Sequence, residues 1–245
     1  MAPETDPTAP ETDSVEMGIL QHIEELRNRL VRAIIALLIG VVFATSITLP
    51  AIEMLTKPAR DQDIVLQAIR PTESAAVFFK IAVVIGVVLA MPVIMYQIFL
   101  FVAPGLKSNE KRYVLLGAPI AAMSFATGVI FAAYVLIPAA LPFLSNFLSE
   151  IIAQQYSIDY YISFVSNILV WAGIVFETPL VMFFLAKLGV VDHRGFARVR
   201  RLVIIGAAVG AAIITPTTDP VNMLLVMIPF MLLYEFGILL ARLAK

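Results

Sequence analysis

The chain has 245 residues, of which 60% are hydrophobic and 14% charged, against about a quarter charged in an ordinary soluble domain. That balance excludes a soluble globular protein, and a net charge of −1 gives no reason to expect a nucleic-acid partner. There is no cysteine, and the two histidines, His22 and His193, lie outside the apolar runs, so disulfides, thiol catalysis and a His-rich metal cage are excluded and no cofactor is expected.

The first sixteen residues are rich in Pro, Thr and acid, and APETD occurs twice, at Ala2–Asp6 and Ala9–Asp13. Such a segment buries too little apolar surface to fold, so residues 1–16 are expected to form a disordered acidic tail. It has neither a basic start nor an apolar stretch, which argues against a secretory signal. The remainder, 17–245, reads as one all-α membrane domain. In GILQHIEELRNRLVRA, Ile19, Ile23, Leu26 and Leu30 share one helical face, and Glu25, Arg29 and Arg32 share another. This is an amphipathic lead-in to the first span. The bland reading of Glu25 is an i,i+4 pair with Arg29, worth about 0.2–0.5 kcal/mol.

Six apolar runs follow: Leu30–Leu49, Ala75–Phe101, Tyr113–Ile137 ended by Pro138 and Pro142, Tyr161–Leu188, Leu202–Ile214 and Val221–Leu240. Between the second and third lies FVAPGLKSNEKRY, where Ser108 is a candidate N-cap and Glu110 falls in the first helical turn, favourable to the helix dipole. With the N-terminus inside, 13 Lys and Arg fall in inner segments and 4 (Lys57, Arg60, Arg70 and Lys80) in outer ones. That asymmetry predicts six transmembrane helices with both termini in the cytoplasm. Leu202–Ile214 would reach only about 20 Å at 1.5 Å per residue, against a hydrocarbon core of about 30 Å. The sixth run meets Glu235 early, so the last two helices are both expected to be short and to thin the bilayer locally.

The fourth run contains FETP, Phe176–Pro179. Glu177 lies about 24 Å along the axis from Tyr161, inside the hydrocarbon, where an acid costs roughly 2.5–3.5 kcal/mol on insertion scales and marks a functional site by default. Pro179 cannot donate to the carbonyl of Val175, which loosens the helix there. A structural hydrogen bond to a neighbouring helix is the alternative role for Glu177. In the fifth run, Gly206 and Gly210 form a small-xxx-small face suited to close helix packing. The turn TPTTDP puts Thr215 and Asp219 before the sixth run, where Asp219 could cap the helix.

In this order, HIEELRNRL, MPVIMYQIFLFVAPGL with NEKR, FETP, and ITPTTDP followed by LLYEFGILLAR resemble the TatC family over nearly the whole of 17–245. The resemblance implies a non-enzymatic core receptor of twin-arginine protein translocation in a prokaryotic plasma membrane. Such a receptor recognises twin-arginine signal peptides at the cytoplasmic face. With single-span TatA- and TatB-type partners, in an oligomeric complex, it moves folded proteins using the proton gradient. It further implies that Glu25 and Glu110 bind the arginine pair, that Arg27, Phe101 and Pro104 belong to the same surface, and that Glu177 is the family's membrane acid. Thr215, Asp219, Gly206 and Gly210 become candidate partner contacts, although the chain has TPTTD where TPPD is commoner. An ion-coupled transporter using Glu177 as proton carrier is a rival reading. An intramembrane hydrolase is another, and it would need a Ser–His, paired-Asp or HExxH arrangement inside the membrane, which the sequence lacks.

Overall fold

The computed structural model describes residues 12–102, 111–146, 155–214 and 220–244. In order these form α1 (Thr12–Ala44), α2 (Thr48–Arg60), β1 (Leu66–Gln67), α3 (Glu73–Val102), α4 (Lys111–Phe131), a π-helical turn (Ala132–Leu136), α5 (Ile137–Asn146), β2 (Tyr156–Ser157), α6 (Ile158–Phe176), α7 (Thr178–Lys187), α8 (His193–Ile214) and α9 (Pro220–Leu243). Four stretches are long and apolar enough to cross a membrane: α3, α4 through α5, α6 through α7, and α9. The pair α1–α2, bent by 79°, counts as a fifth if the two together are taken as one span. The protein is therefore a multi-pass, mostly helical membrane protein.

Three details differ from the sequence-based expectation. The first helix stops at Ala44 rather than Leu49, because Thr45 and Ser46 turn their hydroxyls back to the carbonyls of Val42 and Phe43, at 2.7 and 2.8 Å. Such local bonds compete with the helix ladder, and the chain restarts at a steep angle as α2. The third span does not end at Pro138 and Pro142 but continues to Asn146. The wide π turn just before Pro138, with Ile137 donating to the carbonyl of Ala132, takes up the register that a proline disrupts. The last helix is not short: α9 has 24 residues, and Glu235 is paired to Arg200 of α8 at 2.6 Å, so the apolar run carries on past it. α8 is helical from His193, but Arg194, Arg198, Arg200 and Arg201 occupy its first half, which leaves only the expected short apolar part.

The core lies where α3, α5, α6 and the π turn meet beneath α2. There Leu55, Ile81, Leu136, Ile137, Ile162 and Val165 are all buried. A second cluster, with Met91, Met95, Phe99, Phe125 and Phe184, joins α3, α4 and α7 toward the other end. α1 lies against α3 at a close crossing: a methyl on Gly40 would stand 2.6 Å from the carbonyl oxygen of Gly86. Beyond the apolar core, β1 and β2 pair in parallel and an ionic network ties that end shut. Glu73, 2% exposed, accepts from the Ile69 amide and the Ser157 hydroxyl, both at 3.0 Å. Arg70 bridges Glu73 and Asp159, each at 3.2 Å, and Lys80 pairs with Asp159.

Candidate functional site

Two groups of side chains carry the chemistry, one at the end of the molecule that holds the α1 lead-in and one within the helix packing. At the first, the ring of His22 stacks on Phe101 with centroids 4.5 Å apart and planes at 15°. This contact brings the start of α1 onto the last turn of α3, residues far apart in sequence. One turn from His22, Glu25 accepts from Nε of Arg29 at 3.0 Å, and the second guanidinium nitrogen also donates to it. His22 Nδ1 lies 3.8 Å from its other oxygen. The Arg29 guanidinium holds the Glu25 carboxyl below its ordinary range against the opposing effect of burial, and His22 adds to this. Its side chain is still 34% exposed, so the carboxylate is charged, oriented and reachable. Arg27 points away and pairs with Glu24 at 3.2 Å, both well exposed.

One turn before Phe101, Gln97 is 8% exposed, and its Oε1 has no hydrogen-bond partner among the described residues. The sequence reading passed over it, although an amide inside MYQIFLF is itself a signal that a polar group is wanted there. Pro104 and Glu110 lie outside the described residues, as do Thr215 and Asp219.

The second group centres on the break between α6 and α7. Glu177 ends α6 with its amide bonded to Ile174 O at 3.1 Å, and its carbonyl then accepts from Val181 at 2.9 Å. Pro179 sits at the start of α7, where a missing N–H is tolerated. The hydroxyl of Ser124 in α4 donates to the Phe176 carbonyl at 2.7 Å. Close packing holds α4 against this turn, since a methyl on Gly173 would meet the Phe125 ring at 2.5 Å. Glu177 is 5% exposed, and neither carboxylate oxygen has a hydrogen-bond partner among the described residues. The backbone of Phe125 in α4 nonetheless faces the carboxylate as a weak hydrogen-bonding neighbour, so α4 supplies only part of what the structural alternative requires.

On the adjacent face of the same turn, Ile174, Val175 and Thr178 line an open groove of about 410 Å³ between α6, α8 and α9. Gly206 and Gly210 form its α8 wall, and a methyl on either would meet nothing within 4 Å. The small-residue face is therefore not packed against any other described residue of this chain. Glu177 itself does not line the groove. Among the described residues, no three His, Asp or Glu side chains gather as a metal-binding cluster.

The sequence profile of the family described as Sec-independent protein translocase protein (TatC) matches residues 21–229. The chain is 38% identical over 235 residues to the Sec-independent protein translocase protein TatC of Aquifex aeolicus, covering 93% of this chain and 96% of that one. It is 34% identical over 229 residues to the protein of the same description from Carboxydothermus hydrogenoformans, covering 94% of each. A crystal structure described as the twin arginine translocase receptor TatC superposes with a TM-score of 0.80 at 37% identity, covering 91% of this chain and 99% of that one.

Proposed function

The chain belongs to the TatC family of Sec-independent protein translocase components, and we propose that within such a translocase it is the receptor for twin-arginine signal peptides. The observation that carries this reading is the meeting of Glu25 with His22 and Phe101, where an exposed, oriented carboxylate stands beside an aromatic surface. A guanidinium presents a planar fork that a carboxylate accepts bidentately, and lysine lacks it. With Glu110 as the second acceptor, two such pairs at roughly 1.5–3 kcal/mol each distinguish Arg-Arg from Lys-Lys. Arg29 already occupies Glu25, so an incoming arginine must share that carboxylate or displace Arg29. Phe101 and Pro104 offer the apolar flank, and Arg27 sets the charge at the rim.

In the same reading the protein makes six passes, with α8 as the short fifth, and has both termini in the cytoplasm of a prokaryotic cell. It works without enzymatic chemistry of its own. Single-span TatA- and TatB-type partners join it in an oligomeric complex, and the proton gradient drives folded cargo across. The asymmetry of Lys and Arg supports the orientation, and the open groove beside Gly206 and Gly210 supports the helical partners.

The deciding experiment is crosslinking of the purified protein to a twin-arginine signal peptide and to its twin-lysine version. The wild type should prefer the arginine peptide by at least about tenfold, the size of one charge-assisted hydrogen bond. Glu25→Gln together with Glu110→Gln should abolish the preference while leaving the protein in the membrane. Equal crosslinking of both peptides to the wild type, or an unchanged preference in the double variant, would reject the receptor assignment.

A further inference from the structure

The amphipathic helix α2 carries a feature that signal recognition does not use. It lies across one end of the α4–α5 span, and a groove of about 280 Å³ opens between the two. On the α2 side stand Met54, Lys57, Pro58 and Asp61; on the other stand Tyr134 of the π turn and Pro138 of α5. Met54 and Tyr134 are 42% and 65% exposed and touch, the phenol hydroxyl lying 3.5 Å from the thioether sulfur. Tyrosine with its polar tip outward and an amphipathic helix laid on the surface are both features of the membrane–water boundary.

Lys57 and Asp61 are four residues apart on one helix face, yet they form no ion pair with each other or with any other described residue. Elsewhere at this end Arg70 pairs with Glu73 and Asp159, and Lys80 with Asp159, whereas Glu53, Arg60 and Asp63 form no ion pair among the described residues but stand outside the groove. A cation and an anion left open side by side, above an apolar slot, complement a ligand with one charge of each sign over an apolar body. The slot also has acceptors to spare. Pro58 withholds the N–H that the Met54 carbonyl would otherwise take, and the Gln62 side-chain oxygen, also lining the groove, accepts a single hydroxyl, from Ser145 at 3.1 Å. Both favour a headgroup cation that can donate hydrogen bonds.

We infer that this groove is a binding site for a phospholipid whose headgroup carries a phosphate and a primary ammonium. The phosphate lies at Lys57, the ammonium at Asp61, and the upper acyl chain against Met54, Tyr134 and Pro138. A π turn, which recurs at functional sites, carries Tyr134 and leads directly into Pro138. The inference needs only that the protein is embedded in a membrane; on the orientation proposed above, the lipid belongs to the outer leaflet.

The test is native mass spectrometry of the purified full-length protein, offered equal amounts of phosphatidylethanolamine and phosphatidylglycerol with identical acyl chains. The wild type should retain phosphatidylethanolamine with about a fivefold preference, the scale of one exposed ion pair. Asp61→Asn should bring the ratio to about one while phosphatidylglycerol is still held. Lys57→Gln should lower the retention of both. Glu53→Gln, a charge change on α2 outside the groove, should keep the wild-type ratio. The ratio is read within each sample, so a poor yield of one variant does not disturb it. A wild type that holds both lipids equally, or an Asp61→Asn variant that keeps the preference, overturns the proposal.

Discussion

Glu177 is 5% exposed and finds no well-formed hydrogen bond among the described residues, only the weak approach of the Phe125 backbone, although the chain passes a serine one helix away. Ser124 spends its proton on the Phe176 carbonyl instead. An unpaired carboxylate at that depth is costly, so the side chain is expected to be held in reserve for a donor that arrives with another helix. Glu177→Gln, which keeps hydrogen-bonding capacity, should retain most export of a twin-arginine reporter. Glu177→Ala should lower it about tenfold, one such bond to a buried group, while the amount of protein in the membrane rises or stays level. Wild-type export by the alanine variant would make the residue dispensable. Failure of the glutamine variant as severe as that of alanine would mean the proton itself matters. Glu25 differs in kind. Its carboxyl is held below the ordinary range by Arg29, so it remains ionised through neutrality. Its pairing weakens only as pH falls through that lowered value. Peptide binding should accordingly be flat around neutral pH and fall on acidification into the carboxylate range.

The helices show what holds the frame and what leaves it open. Tyr161, 5% exposed, donates to the carbonyl of Leu55 at 2.7 Å and so pins α2 to α6. Tyr161→Phe should cost about 1 kcal/mol, seen as a lower unfolding temperature in detergent. Gly40→Ala should cost more, about 1–3 kcal/mol, because its methyl would press on the backbone of Gly86 rather than on a yielding side chain. If Gly40→Ala unfolds at the wild-type temperature, the α1–α3 crossing is looser than these distances. Long apolar runs were readable from the sequence because hydropathy alone places them. α2 was not, since its thirteen residues mix Glu53, Lys57 and Arg60 with apolar positions and read as a polar connection. Nor was the course of the third span beyond Pro138. A proline normally stops a helix, and nothing in AAYVL announces a π turn able to absorb one. Glu25 and Glu177 stood out by being charged in helical or apolar company. Gln97 and the pairing of His22 with Phe101 needed the α1–α3 packing, which joins residues that no local pattern connects.

At the scale of the whole molecule, most helix faces are either packed or plainly lipid-facing, and the groove between α6, α8 and α9 is neither. Its α8 wall presents Gly206 and Gly210 to open space, and its other walls carry Trp171, Val226 and Phe230. A small-xxx-small face lets a second helix come close enough for backbone packing, and the shortness of the apolar part of α8 gives a partner reason to sit where the bilayer is strained. The groove is thus the expected seat of a single-span partner. Because the chain has no cysteine, a single one at Val203 or Ala207 can be scanned against cysteines along a partner helix without background. Crosslinks should form at these positions and be absent from Leu38 and Val42 on the outer face of α1, which are 59% and 70% exposed and carry no small-residue face. Gly206→Leu should then separate docking from stability. It has space to enter the groove, so the isolated protein should unfold within about 0.5 kcal/mol of wild type. The partner crosslink should drop several-fold because the groove is filled. Crosslinks that persist undiminished in Gly206→Leu, or that appear only along α1, would place the partner elsewhere on the molecule.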